Sequence, residues 1–113
     1  MTFERIVPDW PAPAGVRAFS TTRHGGVSTE PWSGFNLGSR CGDAPQSVAK
    51  NRQLLNRALP SPARWIKQVH GTGVWHFSGR VSGEVEADAV VSFRPGEGCS
   101  LLTADCLPVF FCN

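Results

Sequence analysis

The chain lacks the features that mark a membrane protein or a nucleic-acid-binding protein. No stretch approaches the ~20 consecutive apolar residues of a membrane span, and the first ten residues contain no apolar signal-peptide core. The net charge is only +2, and the arginines and two lysines are scattered along the chain rather than clustered. We therefore expect a cytoplasmic protein that binds neither nucleic acid nor a membrane.

The remaining composition is that of an ordinary soluble domain. Apolar residues make up 41% and charged residues 18% of the chain, which is typical of a folded protein. A length of 113 residues predicts a single domain over 1–113 with a modest core. Without a signal peptide, the cysteines are expected to be reduced thiols or metal ligands rather than disulfides. They are Cys41, Cys99, Cys106 and Cys112.

The last six residues, Pro108–Asn113, are unusually apolar for a chain end. A strand of this composition needs cover on both faces. The pattern predicts a fragment of a larger domain, or a chain completed by a partner such as a second copy in a homodimer.

The hydrophobic pattern predicts one helix among several strands. Asp43 is a candidate N-cap for a helix over Gln46–Leu59, which Pro60 and Pro62 would end. A glycine-rich loop is expected over 23–42, and Pro95-Gly96 predicts a tight turn. Strands are expected over 16–22, 64–69, 74–77, 87–93, 99–103 and 109–112. Without βαβ alternation, this order favours an α+β fold, with a layered mixed sheet or sheets and at least one flanking helix.

Two short segments contain the strongest candidates for chemistry. His70 lies at a predicted strand end in Gln68–Gly71, and Cys106 lies 36 positions later in Thr103–Pro108. The neighbouring Asp105 opposes thiolate formation at Cys106, whereas a bound Zn²⁺ favours it. The residues alone leave two alternatives open, a turn histidine bonded to backbone and a buried core cysteine. His76 is expected to be a strand-face residue rather than a ligand.

The segment Arg23-His24-Gly25-Gly26 is a candidate phosphate or carboxylate cradle. Its two glycines allow backbone N–H groups to turn toward an anion, and Arg23 adds a positive charge. An ordinary turn is the alternative. On the predicted helix, Arg52 falls within the apolar stripe, which favours an ion pair with a carboxylate such as Asp43 or Asp88.

Together these segments resemble the YfiH-like family, also described as laccase-domain proteins, polyphenol oxidases and purine nucleoside phosphorylases. The resemblance extends from about Val16 onward and depends on several motifs in their family order. They are Thr22–Ser28, Phe35–Gly38, Gly42-Asp43, Asn51-Arg52, Gln68–Gly71, Ala87–Ala89 and Thr103–Pro108.

The resemblance implies an α+β domain of roughly twice this length, of which this chain would be the N-terminal portion. It also implies a zinc site formed by His70, Cys106 and a histidine from a later segment that follows residue 113. The implied activities are phosphorolysis of adenosine, inosine, guanosine and methylthioadenosine, with a purine nucleoside and phosphate as substrates, and deamination of adenosine. Asp105, Cys106 and His70 are the candidate catalytic residues, with Asp105 as a proton shuttle. The candidate substrate- and anion-binding residues are Arg23, His24, Gly25, Gly26 and Asn36.

Three other functions are compatible with these residues. Cu²⁺ in place of Zn²⁺ would suit a polyphenol oxidase, although one histidine and one cysteine cannot build a multicopper cluster. A hydrolase that edits peptidoglycan precursors would use Cys106 as nucleophile and His70 as base. The chain could also be a structural half without activity of its own.

Overall fold

The computed structural model describes residues 2–76 and 84–113, which fall into two compact units. Unit 1 contains Met1–Leu54 and Thr103–Asn113, and unit 2 contains Leu55–Leu102. The described residues form one helix and two small two-stranded sheets, which confirms the α+β class. Along these stretches no helix is both long enough and apolar enough to cross a membrane. A single domain over 1–113 stays a prediction.

The sheet of unit 1 pairs β1 (Phe3–Ile6) antiparallel with β2 (Ser20–Gly25). The register joins Ile6 to Ser20 and is shifted by a bulge before Phe3 reaches Gly25. The predicted strand over 16–22 is therefore displaced toward Gly25, because pairing is limited to the four residues of β1. Strand β1 was not predicted, because its apolar and charged residues do not alternate regularly.

The core of unit 1 forms where the glycine-rich loop covers β1 and the helix. The Phe3 ring stacks on the buried Phe35 ring, with centroids 4.6 Å apart. Leu37 and Val48 are also buried. The loop thus supplies core side chains although it contains no strand or helix between residues 26 and 44.

The helix α1 spans Pro45–Asn56, close to the predicted range. Pro45 occupies the first helical position, where its missing N–H costs nothing. Asp43 is not the N-cap, because the N–H groups of Ser47 and Val48 bond to the Ala44 carbonyl instead. The predicted end at Leu59 is also wrong, since the N–H groups of Ala58 and Leu59 form tight turns, and the Asn56 side chain accepts the Ala63 N–H.

The sheet of unit 2 pairs β3 (Val74–His76) parallel with β4 (Ala89–Val91). Both strands were predicted. β4 is shorter than the expected range 87–93, and Phe77, the last residue of the other expected range, lies outside the described residues. The expected strand over 64–69 reduces to a single bridge between Lys67 and Glu86. Pro95-Gly96 forms the predicted turn, with the Glu97 N–H bonded to the Arg94 carbonyl and Gly96 at φ 83°.

The strands expected over 99–103 and 109–112 are wrong. In the first segment the Leu102 backbone bonds to a side chain, Gln68, instead of a neighbouring strand. In the second, the apolar residues suggested a buried strand, yet Val109 is 57% exposed and Phe111 is 90% exposed. Apolar composition alone does not form a strand without a pairing edge.

Candidate functional site

The turn that carries His70 is held by a single carboxylate. We call Gln68–Gly71 the histidine turn. Asp88 Oδ1 accepts the His70 N–H at 2.9 Å, and Oδ2 accepts the Gly71 N–H at 2.8 Å. The Val69 N–H is shared between both oxygens at 3.2 and 3.3 Å. These bonds, that of Gly71 foremost, lower the pKa of Asp88 below its usual 3.8.

His70 itself combines a constrained backbone with an exposed side chain. Its φ is 59°, in the left-handed region that a residue with a side chain seldom adopts. Its main-chain N–H is bonded to the Asp88 side chain, which places His70 in a turn. The alternative of a histidine bonded to backbone stays a prediction. The residue is nevertheless exposed, so the imidazole is accessible to a ligand. A structural turn and a ligand role are therefore compatible at this position.

Gln68 connects the histidine turn to the segment that leads to Cys106. Its side-chain amide donates to the Leu102 carbonyl and accepts the Leu102 N–H, both at 2.8 Å. This pair mimics a short stretch of sheet. Gln68 precedes His70 by two residues, and Leu102 precedes Cys106 by four residues.

Cys106 and Asp105 lie on a bend over residues 104–106, and both are exposed. The alternative of a buried core cysteine is therefore wrong, because the Cys106 side chain is exposed and its segment forms no strand. All four cysteines are free thiols. Cys106 can consequently act as a metal ligand or a nucleophile without unfolding of its surroundings.

The donor set for a metal ion is chemically suitable but small. An exposed imidazole and an exposed thiol are the borderline and soft donors that Zn²⁺ prefers. Over the described ranges, no group of three or more histidine, cysteine, aspartate or glutamate side chains is gathered as a metal site. The chain thus offers ligands of the right type, and a catalytic zinc, which usually has three protein ligands, needs more than these two.

A buried asparagine organises the glycine-rich loop. Asn51, fully buried on α1, accepts the Val27 N–H through Oδ1 at 2.9 Å. Its Nδ2 donates to Ser28 Oγ at 2.9 Å and to the carbonyls of Gly34 and Asn36 at 3.3 and 2.8 Å. Four contacts from one side chain account for the Asn51 position of the family motif. We call these residues, with Asp43, the loop network.

Asp43 completes the loop network from the other side. Its Oδ2 accepts Ser28 Oγ–H at 2.6 Å and Asn36 Nδ2–H at 3.0 Å, and its Oδ1 accepts the Ala44 N–H at 2.7 Å. The Ser28 bond is the main reason why the pKa of Asp43 is lowered. Asn36, a predicted substrate-binding residue, also donates to Gly38 and Cys41, so its side chain is engaged within the loop.

Several backbone N–H groups in the predicted anion cradle, and directly after it, are already bonded within the protein. The His24 N–H donates to the Thr22 hydroxyl oxygen at 3.2 Å. The N–H groups of Gly26, Val27 and Ser28 donate to Thr2, Asn51 and Gly34, respectively. The glycines serve close packing instead, because a Cβ at Gly25 would collide with the Thr2 carbonyl oxygen. Anion binding by this segment would therefore depend on the exposed side chains of Arg23 and His24 rather than on backbone amides.

The surroundings of the Arg23 and His24 side chains include a carboxylate as well as a backbone acceptor. Arg23 Nε donates to the Ser33 carbonyl at 3.3 Å. His24 lines an open depression of about 280 Å³ together with Glu4, whose carboxylate accepts the Thr22 hydroxyl at 2.6 Å. A negative side chain in that depression opposes an anion there. The anion-binding assignments of Arg23, His24, Gly25, Gly26 and Asn36 stay predictions.

Two further predictions concern side chains outside the histidine turn. Arg52 Nε donates to the Leu37 carbonyl at 2.9 Å, so α1 holds the loop at a second point. Arg52 and Asp43 line the same shallow depression of about 200 Å³, and their predicted ion pair stays a prediction. His76 lies on β3 with its ring 5.6 Å from the Phe93 ring, as expected for a strand-face residue.

The structural roles of Gln68, Asp88 and Asn51 were not predicted from the sequence. All three are short or medium polar side chains whose amide or carboxylate groups bond to backbone several residues or elements away. Asp88 stands between two alanines, Ala87 and Ala89, and a lone carboxylate in such a setting is the signal that could have identified it.

Fold and site together describe an α+β protein with an exposed imidazole on a braced turn and an exposed thiol on a bend. A family model described as multi-copper polyphenol oxidoreductase laccase matches residues 17–113. Because that match covers most of the chain, the chain belongs to this family, the YfiH-like laccase-domain family.

The chain is similar to several named proteins of this family. It is 51% identical over 110 residues to purine nucleoside phosphorylase YfiH of Escherichia coli (strain K12), covering 96% of this chain and 45% of that protein. It is 46% identical over 108 residues to purine nucleoside phosphorylase PA4543 of Pseudomonas aeruginosa, covering 96% and 44%. The chain thus spans less than half the length of these curated relatives.

A solved structure shares the fold. The crystal structure of Neisseria meningitidis protein NMB0706 matches with a TM-score of 0.73 and 38% sequence identity. The match covers 78% of this chain and 36% of that one. The resemblance drawn from the motifs is thereby confirmed at the level of family and fold.

Proposed function

We propose that this chain forms part of a purine nucleoside phosphorylase that cleaves adenosine, inosine, guanosine or methylthioadenosine with phosphate. The observation that carries the proposal is the 51% identity to a protein named purine nucleoside phosphorylase, over almost the whole chain. The braced histidine turn and the exposed Cys106 support it, because both motifs present a donor group at the surface.

His70 and Cys106 are the residues that would hold a zinc ion. When bound, Zn²⁺ supplies positive charge that polarises oxygen groups and acidifies water. Zn²⁺ is favoured over Cu²⁺ because one histidine and one cysteine cannot build the multicopper cluster of a laccase-type oxidase.

In phosphorolysis, a phosphate oxygen forms a bond to C1′ of the ribose while the bond from C1′ to the purine nitrogen breaks. The purine nitrogen keeps the electron pair and takes up a proton. Asp105 is exposed beside Cys106, and we assign to it the transfer of that proton. In adenosine deamination the same carboxylate would move a proton between water and the departing ammonia.

The test compares three substitutions with matched controls in the natural polypeptide that carries this sequence. His70→Ala and Cys106→Ser are expected to lower kcat/KM for inosine phosphorolysis by at least about 100-fold, since even the outer partners of metal ligands are worth about 10- to 100-fold. Asp105→Asn should lower kcat more than it changes KM. Release of ribose 1-phosphate and of ammonia measures the two reactions.

His76→Ala and Cys112→Ser are the controls, because each removes an exposed group of the same type outside the proposed site. They should retain activity within about twofold. Full activity in either His70→Ala or Cys106→Ser would end the proposal. For the anion, Arg23→Ala should raise the phosphate KM, with the exposed Arg17→Ala as control, and an unchanged KM would remove Arg23 from the site.

A copper-dependent polyphenol oxidase is the second candidate, because the matching family model carries that description. It requires copper in the purified protein and oxidation of phenols. A cysteine hydrolase acting on peptidoglycan precursors is the third, motivated by the exposed Cys106 thiol. Homodimer formation and a cytoplasmic location stay predictions.

A further inference from the structure

His70 has an unusual backbone conformation, with a φ of 59°. Over residues 2–76 and 84–113, His70 is the only non-glycine residue with a positive φ. Such conformations persist only where the surroundings enforce them, and they are concentrated at functional positions. The question is which group enforces this one.

Asp88 is the group in contact with the turn. Its carboxylate accepts the N–H groups of three consecutive residues, Val69, His70 and Gly71. The two shortest bonds, from His70 and Gly71, go to different oxygens. Three donors can converge on one carboxylate only when the backbone curls around it, which the left-handed conformation of His70 achieves. Charge assistance makes these bonds stronger than neutral ones.

Asp88 is itself rigidly placed. Its N–H donates to the Gly73 carbonyl at 3.0 Å, and it lies between the buried Ala87 and the first residue of β4, Ala89. The Ala87 N–H bonds to the carbonyl of Lys67, the residue directly before the histidine turn. These backbone bonds fix the position from which the Asp88 carboxylate reaches the histidine turn.

We propose that Asp88 is a positioning residue, whose carboxylate sets the direction in which His70 presents its imidazole to a metal ion. It acts through the backbone and does not touch the metal or the substrate. This inference rests on the proposed function in one respect, the assignment of His70 as a ligand.

The chemistry of the carboxylate defines the decisive variant. Asp88→Asn keeps the shape but replaces one acceptor oxygen with an NH₂ donor, so the side chain can serve His70 or Gly71 but not both. Asp88→Glu retains two acceptor oxygens and should restore part of the function. Glu86→Gln is the matched control, because it makes the same charge change two residues away on an exposed side chain.

The experiment measures the turn and the metal separately in the natural polypeptide. Amide hydrogen exchange reports protection at Val69, His70 and Gly71 without any metal. Competition with a chromophoric chelator gives the Zn²⁺ dissociation constant, and the visible spectrum of bound Co²⁺ reports the ligand geometry. All measurements are made well below the unfolding temperature of the least stable variant.

Asp88→Asn is expected to speed exchange at Val69, His70 and Gly71, raise the Zn²⁺ dissociation constant about 10- to 100-fold and change the Co²⁺ spectrum. For Asp88→Glu, the exchange rates and the Zn²⁺ dissociation constant should lie between those of Asp88→Asn and the unsubstituted protein. If Asp88→Asn does not fold, Asp88→Glu is compared with the unsubstituted protein instead. Glu86→Gln should stay within about twofold.

Two results would overturn the inference. Zn²⁺ affinity within twofold of the unsubstituted protein in Asp88→Asn, while His70→Ala loses the metal, would overturn the positioning role and leave the proposed function intact. Absence of metal binding in the unsubstituted protein would overturn both. Exchange protection in the metal-free protein would then show that the failure lies in the function and not in the contact between Asp88 and the turn.

Discussion

At the scale of single residues, Asn51 shows how much one buried amide can organise. It is 0% exposed, and both ends of its amide are satisfied by the loop network. No buried side-chain nitrogen or oxygen among the described residues is left without a partner. An amide suits this position because it donates and accepts at once, which neither a carboxylate nor an apolar side chain can do.

Replacing Asn51 with leucine should therefore be strongly destabilising. Asn51→Leu keeps a similar volume but leaves the Val27 N–H and the Gly34 and Asn36 carbonyls without their partner. We expect the free energy of unfolding to fall by about 2–4 kcal/mol, measured by urea denaturation. Gln53→Leu, exposed on the same helix, should change it by less than about 0.5 kcal/mol. A loss below 1 kcal/mol for Asn51→Leu would contradict this account of the loop.

Gly26 and Gly15 together distinguish two reasons why a position requires glycine, a positive φ and a lack of space for a Cβ. Its φ is 69°, and a Cβ would lie 2.5 Å from Asn51 Oδ1 and 2.8 Å from the Gly34 carbonyl oxygen. Gly15 has a φ of 89° with nothing within 4 Å. Gly15→Ala should lower the free energy of unfolding by about 1–2 kcal/mol, from backbone strain alone, as measured by thermal or urea unfolding. Gly26→Ala should lower the free energy of unfolding by about 2–4 kcal/mol, because the added Cβ also collides with its neighbours. Equal losses for the two variants would show that this collision contributes nothing.

At the scale of elements, the functional segments are irregular backbone secured by side chains. The histidine turn depends on Asp88, the approach to Cys106 on Gln68, and the glycine-rich loop on Asn51 and Asp43. Such loops remain ordered only because side-chain groups replace the missing ladder bonds. The motif residues of the family are, in this chain, largely those side chains.

The Gln68 pair yields a local prediction. Gln68→Leu removes both bonds to Leu102, so the Leu102 amide should exchange its hydrogen at least about tenfold faster, since a bond worth about 1.4 kcal/mol corresponds to that factor. Gln53→Leu again serves as the control, because it makes the same substitution on an exposed part of α1. Unchanged exchange at Leu102 would show that another group holds this segment.

The loop network should weaken in acid because of Asp43. Its pKa in the folded state lies below the ordinary value of 3.8. Its contribution to stability is therefore fully present above that ordinary value and is lost as the pH falls through the lowered folded-state pKa. Urea unfolding over about pH 5 to about pH 2 should show a shallower acid loss in Asp43→Asn than in the unsubstituted protein. Asp9→Asn, exposed and outside the network, should follow the unsubstituted curve, and an unchanged slope in Asp43→Asn would contradict the assignment.

At the scale of the whole molecule, the proposed chemistry depends on a metal ion. Because the proposed ligands His70 and Cys106 are both exposed, EDTA should be able to remove the bound ion. Removal should lower phosphorolysis at least about tenfold, and added Zn²⁺ should restore it. Activity that survives chelation would favour a thiol nucleophile at Cys106. Restoration by Cu²⁺ alone, together with phenol oxidation, would favour the oxidase.

The sequence allowed some features to be predicted well and others poorly, for identifiable reasons. Helix α1 has the apolar period and an early proline, so its position was predicted within a few residues, although Asp43 proved to bond to the loop rather than cap the helix. The turn at Pro95-Gly96 was predicted because glycine at a positive φ is a local property. The strands over 99–103 and 109–112 were wrong because strand formation requires a partner that composition does not reveal.

By itself, the sequence determined the family, the α+β class, the helix and the identity of the two candidate ligands. These depend on residue types, order and local periodicity, which are all visible along one chain. Only the tertiary structure decided that Asp88 braces the histidine turn, that Gln68 binds Leu102 and that Asn51 closes the glycine-rich loop. Those bonds join residues 15 to 34 positions apart, and hydrogen bonding over such separations follows from the folded path of the backbone, not from local pattern.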